Sequence, residues 1–577
     1  MNARTFLALT LTAGAALSAQ SLKPGLSLIP AAADNVEIYP KPVEVEAKGK
    51  ALQSLFKDES SFLGLESKVG LSIKDLDAGV AFIADFPEPK SAPGTKTGPK
   101  QALTPFLAVL PSARGEALLA QLKAKKRQGV WSYALPPVAG GEVQTRFVAV
   151  RPGFLLIASD RTVLDAAQAA KETMAEEVDG PTEAWLLSHD TSDIWSAAST
   201  RSTLAEMVAG LNKPRSGQEA ALALVGTRFK GLATKAQASI THLALGLDLP
   251  ASGSVRIAAR AFFGPGTPLA QEASALTPSG IHPLDKLPQD PFFLALGGQW
   301  PEVFNFIMAD PDIALAAYKE HPLPGDLKVR YSAAMKAQAD QIQSMSMLMA
   351  PPSKEGEPLM KGAVSILRVK DAAAYEAAQE RVTALQAEVA KAAGTPVYAA
   401  MEKDVLPGTP SFMLTVDFEK TPDARNRAAQ ASMMFGFLFG GTEMRASYGQ
   451  LDAHTWLSVF GSGEDLQWAL LRAKQMAPLP QAALVKREDE LLPSNSRFSL
   501  YLDLKGVRDA AQMVVAAMGR GQGQLPVVPR VPPLGLAFTC DPGGLEIRGG
   551  AQPETLTALR DLVAEVSKSM PPSGKQD

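Results

Sequence analysis

One cysteine, Cys540, stands among 577 residues. No disulfide can form within the chain, so its stability rests on packing even in an oxidising compartment. Cys540 is expected to be a small buried hydrophobe. Histidine is also scarce. His189, His242, His282, His321 and His454 are scattered, and no two sit at metal-ligand spacing. With no H-E-x-x-H and no Cys cluster, local sequence supplies no metal site. An excess of one charge is missing too: 57 Lys and Arg face 60 Asp and Glu, for a net charge of −3. That balance argues against a nucleic-acid partner, which needs a basic face, and against a strongly anionic membrane surface. The densest basic run, Lys123–Arg127 (KAKKR), reads as a solvated helix end. Beyond the first twenty residues no apolar run reaches the length needed to span a bilayer.

Catalytic signatures are equally thin. No G-x-S-x-G elbow occurs. Ser54–Lys57 (SLFK) matches S-x-x-K and Lys96–Gly98 matches K-T-G. The second lies in a Pro/Gly-rich loop, and no S-D-N stands between them. Gly519–Gly523 (GRGQG) ends a helical pattern instead of following a strand, so it is not a phosphate loop. His189 and Asp190 are adjacent, and neighbours on a strand point to opposite faces. The sequence therefore assigns no catalytic, cofactor-binding or metal residue. Carboxylates paired across space are invisible at this level.

What is present begins at the N-terminus. Arg4, an apolar run from Thr5 to Leu17, and small residues at Ser18 and Ala19 form the three parts of a secretory signal peptide, residues 1–19. Lipidation would need a cysteine at the cleavage site. The mature chain is expected to be exported, periplasmic or extracellular, without a transmembrane anchor.

The body of the chain repeats a pattern. Arg146–Lys171 and Arg445–Lys474 both read strand, turn, strand, polar break, helix. Arg151–Gly153 and Asp452–His454 fall where a hairpin must turn. Val163, Ala166, Ala167 and Ala170 match Leu466, Ala469, Leu470 and Ala473 on one helix face. Further on, Glu183–Ala198 parallels Ser496–Gln512 as a strand running into a helix. Leu245–Ile257 parallels Leu534–Ile547 as a hairpin, and a helix follows each. Upstream, Phe106–Lys123 and Ala363–Val382 each run from strand into helix, and Ala78–Phe86 and Pro291–Gly298 read as strands. This predicts an α+β protein of two tandem, duplicated halves with mostly antiparallel sheets, 34–275 and 290–568. A Pro-rich linker at 276–289 and a disordered tail at 569–577 complete it.

Three apolar stretches bear on function. Met345–Met349 (MSMLM) has the spacing of soft-metal clusters, but with Tyr331, Met335 and Ile342 it also reads as a helical stripe. Asp371–Gly394 is a capped amphipathic helix with Tyr375, Val382, Leu385 and Val389 on its stripe. Thr421–Gly441 reads as a helix with Thr421 as N-cap, Pro422 in the first turn and Gly440–Gly441 as its stop. Its apolar end reads first as a helix end buried in the core; if exposed, Met433, Met434, Phe435, Phe437 and Phe439 are the candidate contacts for an apolar ligand or a partner.

These hairpin–helix segments, the leader and the doubled layout resemble uncharacterised exported bacterial proteins of tandem α+β build. The resemblance is one of pattern and transfers no site residue. It implies a non-catalytic binding or scaffolding protein of the cell envelope. The alternatives are a carrier of apolar ligands such as lipids and an envelope hydrolase with a carboxylate site assembled in space. An envelope protein or an apolar molecule is the expected partner, with no cofactor.

Overall fold

The computed structural model describes residues 22–55, 65–87, 104–127, 129–135, 143–178, 194–199, 234–250, 252–275, 282–289, 291–299, 315, 323–352, 354, 357–420, 436–517 and 525–569. The expected leader lies outside them, as does the expected tail after Ser569, which ends the last helix. The protein is α+β, with antiparallel strand pairing throughout the described residues. It divides into two compact units. The first takes in Met1–Met207, Lys235–Ala275 and Cys540–Glu546; the second takes in Val208–Thr234, Leu276–Thr539 and Ile547–Asp577.

The first series of strands is β1 (Asn35–Tyr39), β2 (Ala81–Asp85), β3 (Phe106–Pro111), β4 (Lys125–Arg127), β5 (Val130–Leu135), β6 (Gln144–Arg151), β7 (Phe154–Ala158), β8 (Ile194–Ser199), β9 (Ile240–Asp248) and β10 (Val255–Phe263). They pair in the order β4-β5-β6-β7-β3-β2-β1-β8-β9-β10. All six residues of β3 are buried, so this sheet is covered on both faces. On one face, Val36, Phe82, Leu107 and Leu156 pack against Leu22, Leu26, Ile29, Val163 and Leu164. On the other, Ile83, Ala108, Leu155 and Ile157 pack against Val45, Val69, Leu118 and Leu119.

The second series is β11 (Leu294–Gly298), β12 (Ile342–Met349), β13 (Ala363–Val369), β14 (Ala399–Lys403), β15 (Ser411–Asp417), β16 (Glu443–Asp452), β17 (Thr455–Phe460), β18 (Phe498–Leu502), β19 (Leu534–Asp541) and β20 (Gly544–Ala551). Their order is β14-β15-β16-β17-β13-β12-β11-β18-β19-β20. Each strand thus holds the sheet position of the strand ten places earlier in the chain. Helices recur at the same points: Gly115–Gln121 and Ala372–Ala392 follow β3 and β13, Arg161–Ala169 and Gly463–Gln475 follow β7 and β17, and Pro268–Ala275 and Pro553–Ser569 follow β10 and β20. Leu457 and Val459 meet Leu466, Ala469 and Leu470 on one face of the second sheet. Leu367, Phe412 and Trp456 meet Ala372 and Tyr375 on the other.

Local chemistry explains the helix starts. Asp160 accepts the Val163 N–H at 3.0 Å, and Asp371 accepts the Ala374 N–H at 2.7 Å. Burial raises the Asp160 carboxyl, but hydrogen bonds from Thr162, Val163 and Ser159 outweigh it and hold the group below the usual carboxylate range. The long helix Ala372–Ala392 finds its partner within the chain, where Val382, Leu385 and Val389 pack against Leu327, Tyr331 and Met335.

Four expectations are corrected. Met345–Met349 is not helical: the preceding helix ends at Ala339 and Ile342–Met349 is strand β12. Met345, Met347 and Met349 alternate with Ser344, Ser346 and Leu348 and so share one face. Lys123–Arg127 is not a helix end. The helix stops at Gln121, Lys123 takes a left-handed φ of 52°, and Lys125–Arg127 is edge strand β4. Residues 194–198, expected as helix, are strand, as Ile and Trp favour; the strand expected before them lies outside the described residues. The segment 282–289 is no loose linker, because Leu284 and Leu287 are wholly buried in the second unit's core. Cys540 is half-buried.

Tight backbone approaches fix the layers. Gly506, near the start of the helix Leu504–Ala517, donates its N–H to Asp503 at 2.7 Å and lies against the Phe292 carbonyl. A Cβ there would fall inside van der Waals contact with backbone atoms of Phe292 and Phe293. Gly506→Ala is expected to cost about 2 kcal/mol, as over-packing against rigid backbone does. Chemical denaturation followed by circular dichroism checks this.

Candidate ligand site

The hairpin β16–β17 is the frame. Ala446 faces Phe460 and Tyr448 faces Ser458. The turn is closed by the Asp452 carboxylate, which accepts the His454 N–H at 2.9 Å. At the far end β17 runs straight into the helix Gly463–Gln475. Ser462 and Asp465 make a reciprocal cap there, with the Ser462 N–H and hydroxyl donating to Asp465 at 2.8 and 2.9 Å. The helix lies close on the sheet because β16 has no side chain at Gly449, where a Cβ would come within 2.8 Å of Leu470. The Ser447 hydroxyl donates to the Gly461 carbonyl at 2.8 Å. Phe460, Gly461 and Ser462 are therefore held in place from both sides.

Beside this corner lies a cavity of about 430 Å3. One wall is Phe460–Ser462 with Asp465. A second is Glu443 and Arg445. A third is the chain from Leu438 to Thr442, and the last is Pro358, Met360 and Lys361. Phe439 is its aromatic centre, with its ring 5.6 Å from that of Phe460 and 5.8 Å from that of Phe418. The chain can leave the helical turn ending at Phe439 because Gly440 adopts φ +82° and donates to the Gly436 carbonyl at 2.9 Å. A Cβ on Gly440 would also sit 2.7 Å from the Pro358 ring.

The charges around the cavity are already matched. Arg445 directs Nε and Nη2 at one oxygen of Glu443, at 2.9 and 2.6 Å. Lys361 Nζ lies 2.9 Å from Glu357, and that bond and the charge behind it push the ammonium pKa up. Asp465 is engaged by the helix cap. A ligand therefore meets aromatic and aliphatic surface inside a rim that needs no counter-charge. The volume falls in the range of small-molecule sites, and the lining suits a molecule with an apolar body.

Of the sequence candidates, Phe439 lines the cavity and Phe437 is half-buried outside its lining. Met433, Met434 and Phe435 lie outside the described residues, as do His189, His321, Lys57 and the K-T-G and GRGQG segments. The Ser54 hydroxyl donates to the Ala51 carbonyl. His454 Nδ1 lies 2.7 Å from the Lys370 carbonyl at a hairpin turn. Among the described residues no group of three or more His, Cys, Asp or Glu could hold a metal ion. Pro358, Met360 and Phe460 were not legible as site residues, because the sheet brings them together across some hundred residues of chain.

A second place is chemically unusual. Glu488, on the helix Ala483–Asp489, is wholly buried. Its carboxyl fits a gap left by two glycines: a Cβ on Gly535 would lie 2.7 Å from its Cγ, and one on Gly550 would lie 2.7 Å from Oε1. Oε1 accepts the Gly535 N–H at 3.1 Å and Oε2 has no partner among the described residues. Burial pushes the Glu488 pKa up to about 8, against the pull of the Gly535 N–H and with help from the Asp489 charge. Asp489 accepts from the Tyr501 hydroxyl and lies 3.6 Å from His282 Nε2. Neither carboxyl lines the 430 Å3 cavity or a smaller one of about 110 Å3 beside Asp503 and Arg530. No protein-family model, no curated protein and no solved structure matches the chain.

The raised pKa has a definite sign. The folded state keeps the Glu488 proton up to about pH 8, whereas the unfolded chain releases it near its ordinary pKa. Stability therefore falls as pH rises between these values, by at most about 1.4 kcal/mol per unit. Glu488→Gln keeps an acceptor for Gly535 and is expected to flatten that slope, raising stability at pH 8 by more than about 1 kcal/mol. Denaturation midpoints at pH 5, 6.5 and 8 for both proteins measure it.

Proposed function

We propose that the protein is an exported, non-catalytic binding protein of the bacterial cell envelope. The cavity around Phe439 is its ligand site, and its ligand is a small molecule with an apolar body. Of the alternatives open at the level of sequence, the apolar-ligand carrier is the one this cavity supports. The single observation that carries the reading is an aromatic-floored cavity of about 430 Å3 whose rim charges are already engaged, Arg445 by Glu443, Lys361 by Glu357 and Asp465 by the Ser462 cap. A charged ligand would have to break those pairs, and an apolar one would not. Glu488 and Asp489 line neither cavity, so that buried carboxyl pair offers the hydrolase alternative no open site. The identical pairing order of the two strand series supports a duplicated origin, in which the first half supplies a frame and the second adds the site.

Titration of the protein with an apolar naphthalene fluorophore tests this. One saturable site is expected. Phe439→Asp places a carboxylate in the cavity and is expected to weaken binding at least tenfold, while Phe439→Leu retains it. Equal binding by Phe439→Asp, with the protein still folded by circular dichroism, would refute the assignment.

A further inference from the structure

The edge strand β4, Lys125–Arg127, is basic at every position. Lys123, Lys125, Lys126 and Arg127 are all exposed, and none forms an ion pair with a described residue. Among the described residues, the one polar or ring contact of their charged ends is Lys126 Nζ, 5.9 Å above the Trp131 ring. Among the described residues β4 pairs with β5 alone. Two residues separate Arg127 from Val130, which face each other. A hairpin of that length makes this the hydrogen-bonded pair, and the alternation then turns the N–H and C=O of Lys126 away from β5.

The corresponding edge of the second series is built differently. β14 contains its own carboxylate, Glu402, and its Lys403 is held by Glu380 at 2.7 Å and Glu376 at 3.5 Å. Its charge is neutralised from within. The same topological position is thus closed in one unit and left basic in the other.

We infer that β4 is a docking edge for an extended acidic peptide segment of a partner protein, added as a further antiparallel strand alongside Lys125–Arg127. Main-chain bonds to Lys126 supply the pairing, and glutamate or aspartate side chains opposite the four cations supply the selectivity. A second copy of this chain is disfavoured at this edge, because two such strands would set like charges against each other. A neutral strand would leave the cations unmatched. The inference is independent of the ligand cavity, which lies in the other unit.

The probe is a capped hexapeptide alternating glutamate and valine, titrated calorimetrically into the whole protein, with a lysine–valine hexapeptide as control. Saturable binding of the acidic peptide is expected, together with slowed amide exchange in the fragment covering 123–127. Lys125→Glu combined with Arg127→Glu is expected to weaken binding at least tenfold. Lys126→Pro removes the outward N–H without touching the bonds to β5, and is expected to bind at least fivefold more weakly than Lys126→Gln. No saturable binding, equal binding of the basic peptide, or equal affinity of Lys126→Pro and Lys126→Gln overturns the inference. In wild type, binding with no protection at 123–127 does so as well.

Discussion

A sheet that is apolar on both faces has to be covered twice, and the rest of this structure follows from that demand. β3 and β7 show it most plainly. All of β3 is buried, and in β7 Leu155 and Ile157 enter one core while Leu156 and Ala158 enter the other. The second series obeys the same rule, with Leu457 and Val459 in one core and Trp456 in the other. Burial on both faces fixes register strongly, since a slip by one residue would exchange two cores of different shape. It also explains why helices follow β3, β7 and β10 and again β13, β17 and β20: the cover must come from the chain between strands.

The two series differ where the cover is interrupted. Between β5 and β6 the connection runs from 136 to 143; between β15 and β16 it runs from 418 to 442. The longer connection brings Leu438 and Phe439 beside the end of β17, and the cavity forms there. A frame that is apolar and rigid on both faces leaves little freedom for a site except in such an added segment. The basic edge at β4 follows the same logic: the sheet fixes the strand, and its outward groups remain for other use.

The hairpins and the helices after them were legible because their signals are local. Strand alternation, a two- or three-residue turn and a capping Asp or Ser lie within some twenty-five residues of each other, as at Arg146–Lys171 and Arg445–Lys474. Phe439, which lines the cavity, stood out as a candidate because it stands in an apolar run stopped by glycine. The order of strands in the sheet was not legible, since β1 meets β8 and β11 meets β18 across long stretches of chain. Met345–Met349 was misread because Tyr331, Met335, Ile342, Met345 and Met349 fit a helical stripe, while the alternation with Ser344 and Ser346 fits a strand equally well. Sequence alone did not reveal the turn after Ala339 that decides between them. Glu488 carried no signal at all, because its burial depends on glycines some fifty residues downstream.

The account stands or falls on whether the second unit takes up an apolar molecule. Native mass spectrometry of the protein purified from an exporting bacterial host, followed by solvent extraction, measures this directly. The account predicts one discrete added mass per chain that partitions into the organic phase and is missing from a Phe439→Trp variant, in which the larger ring fills the cavity. A ligand-free mass, unchanged after incubation with an extract of envelope lipids, would contradict it.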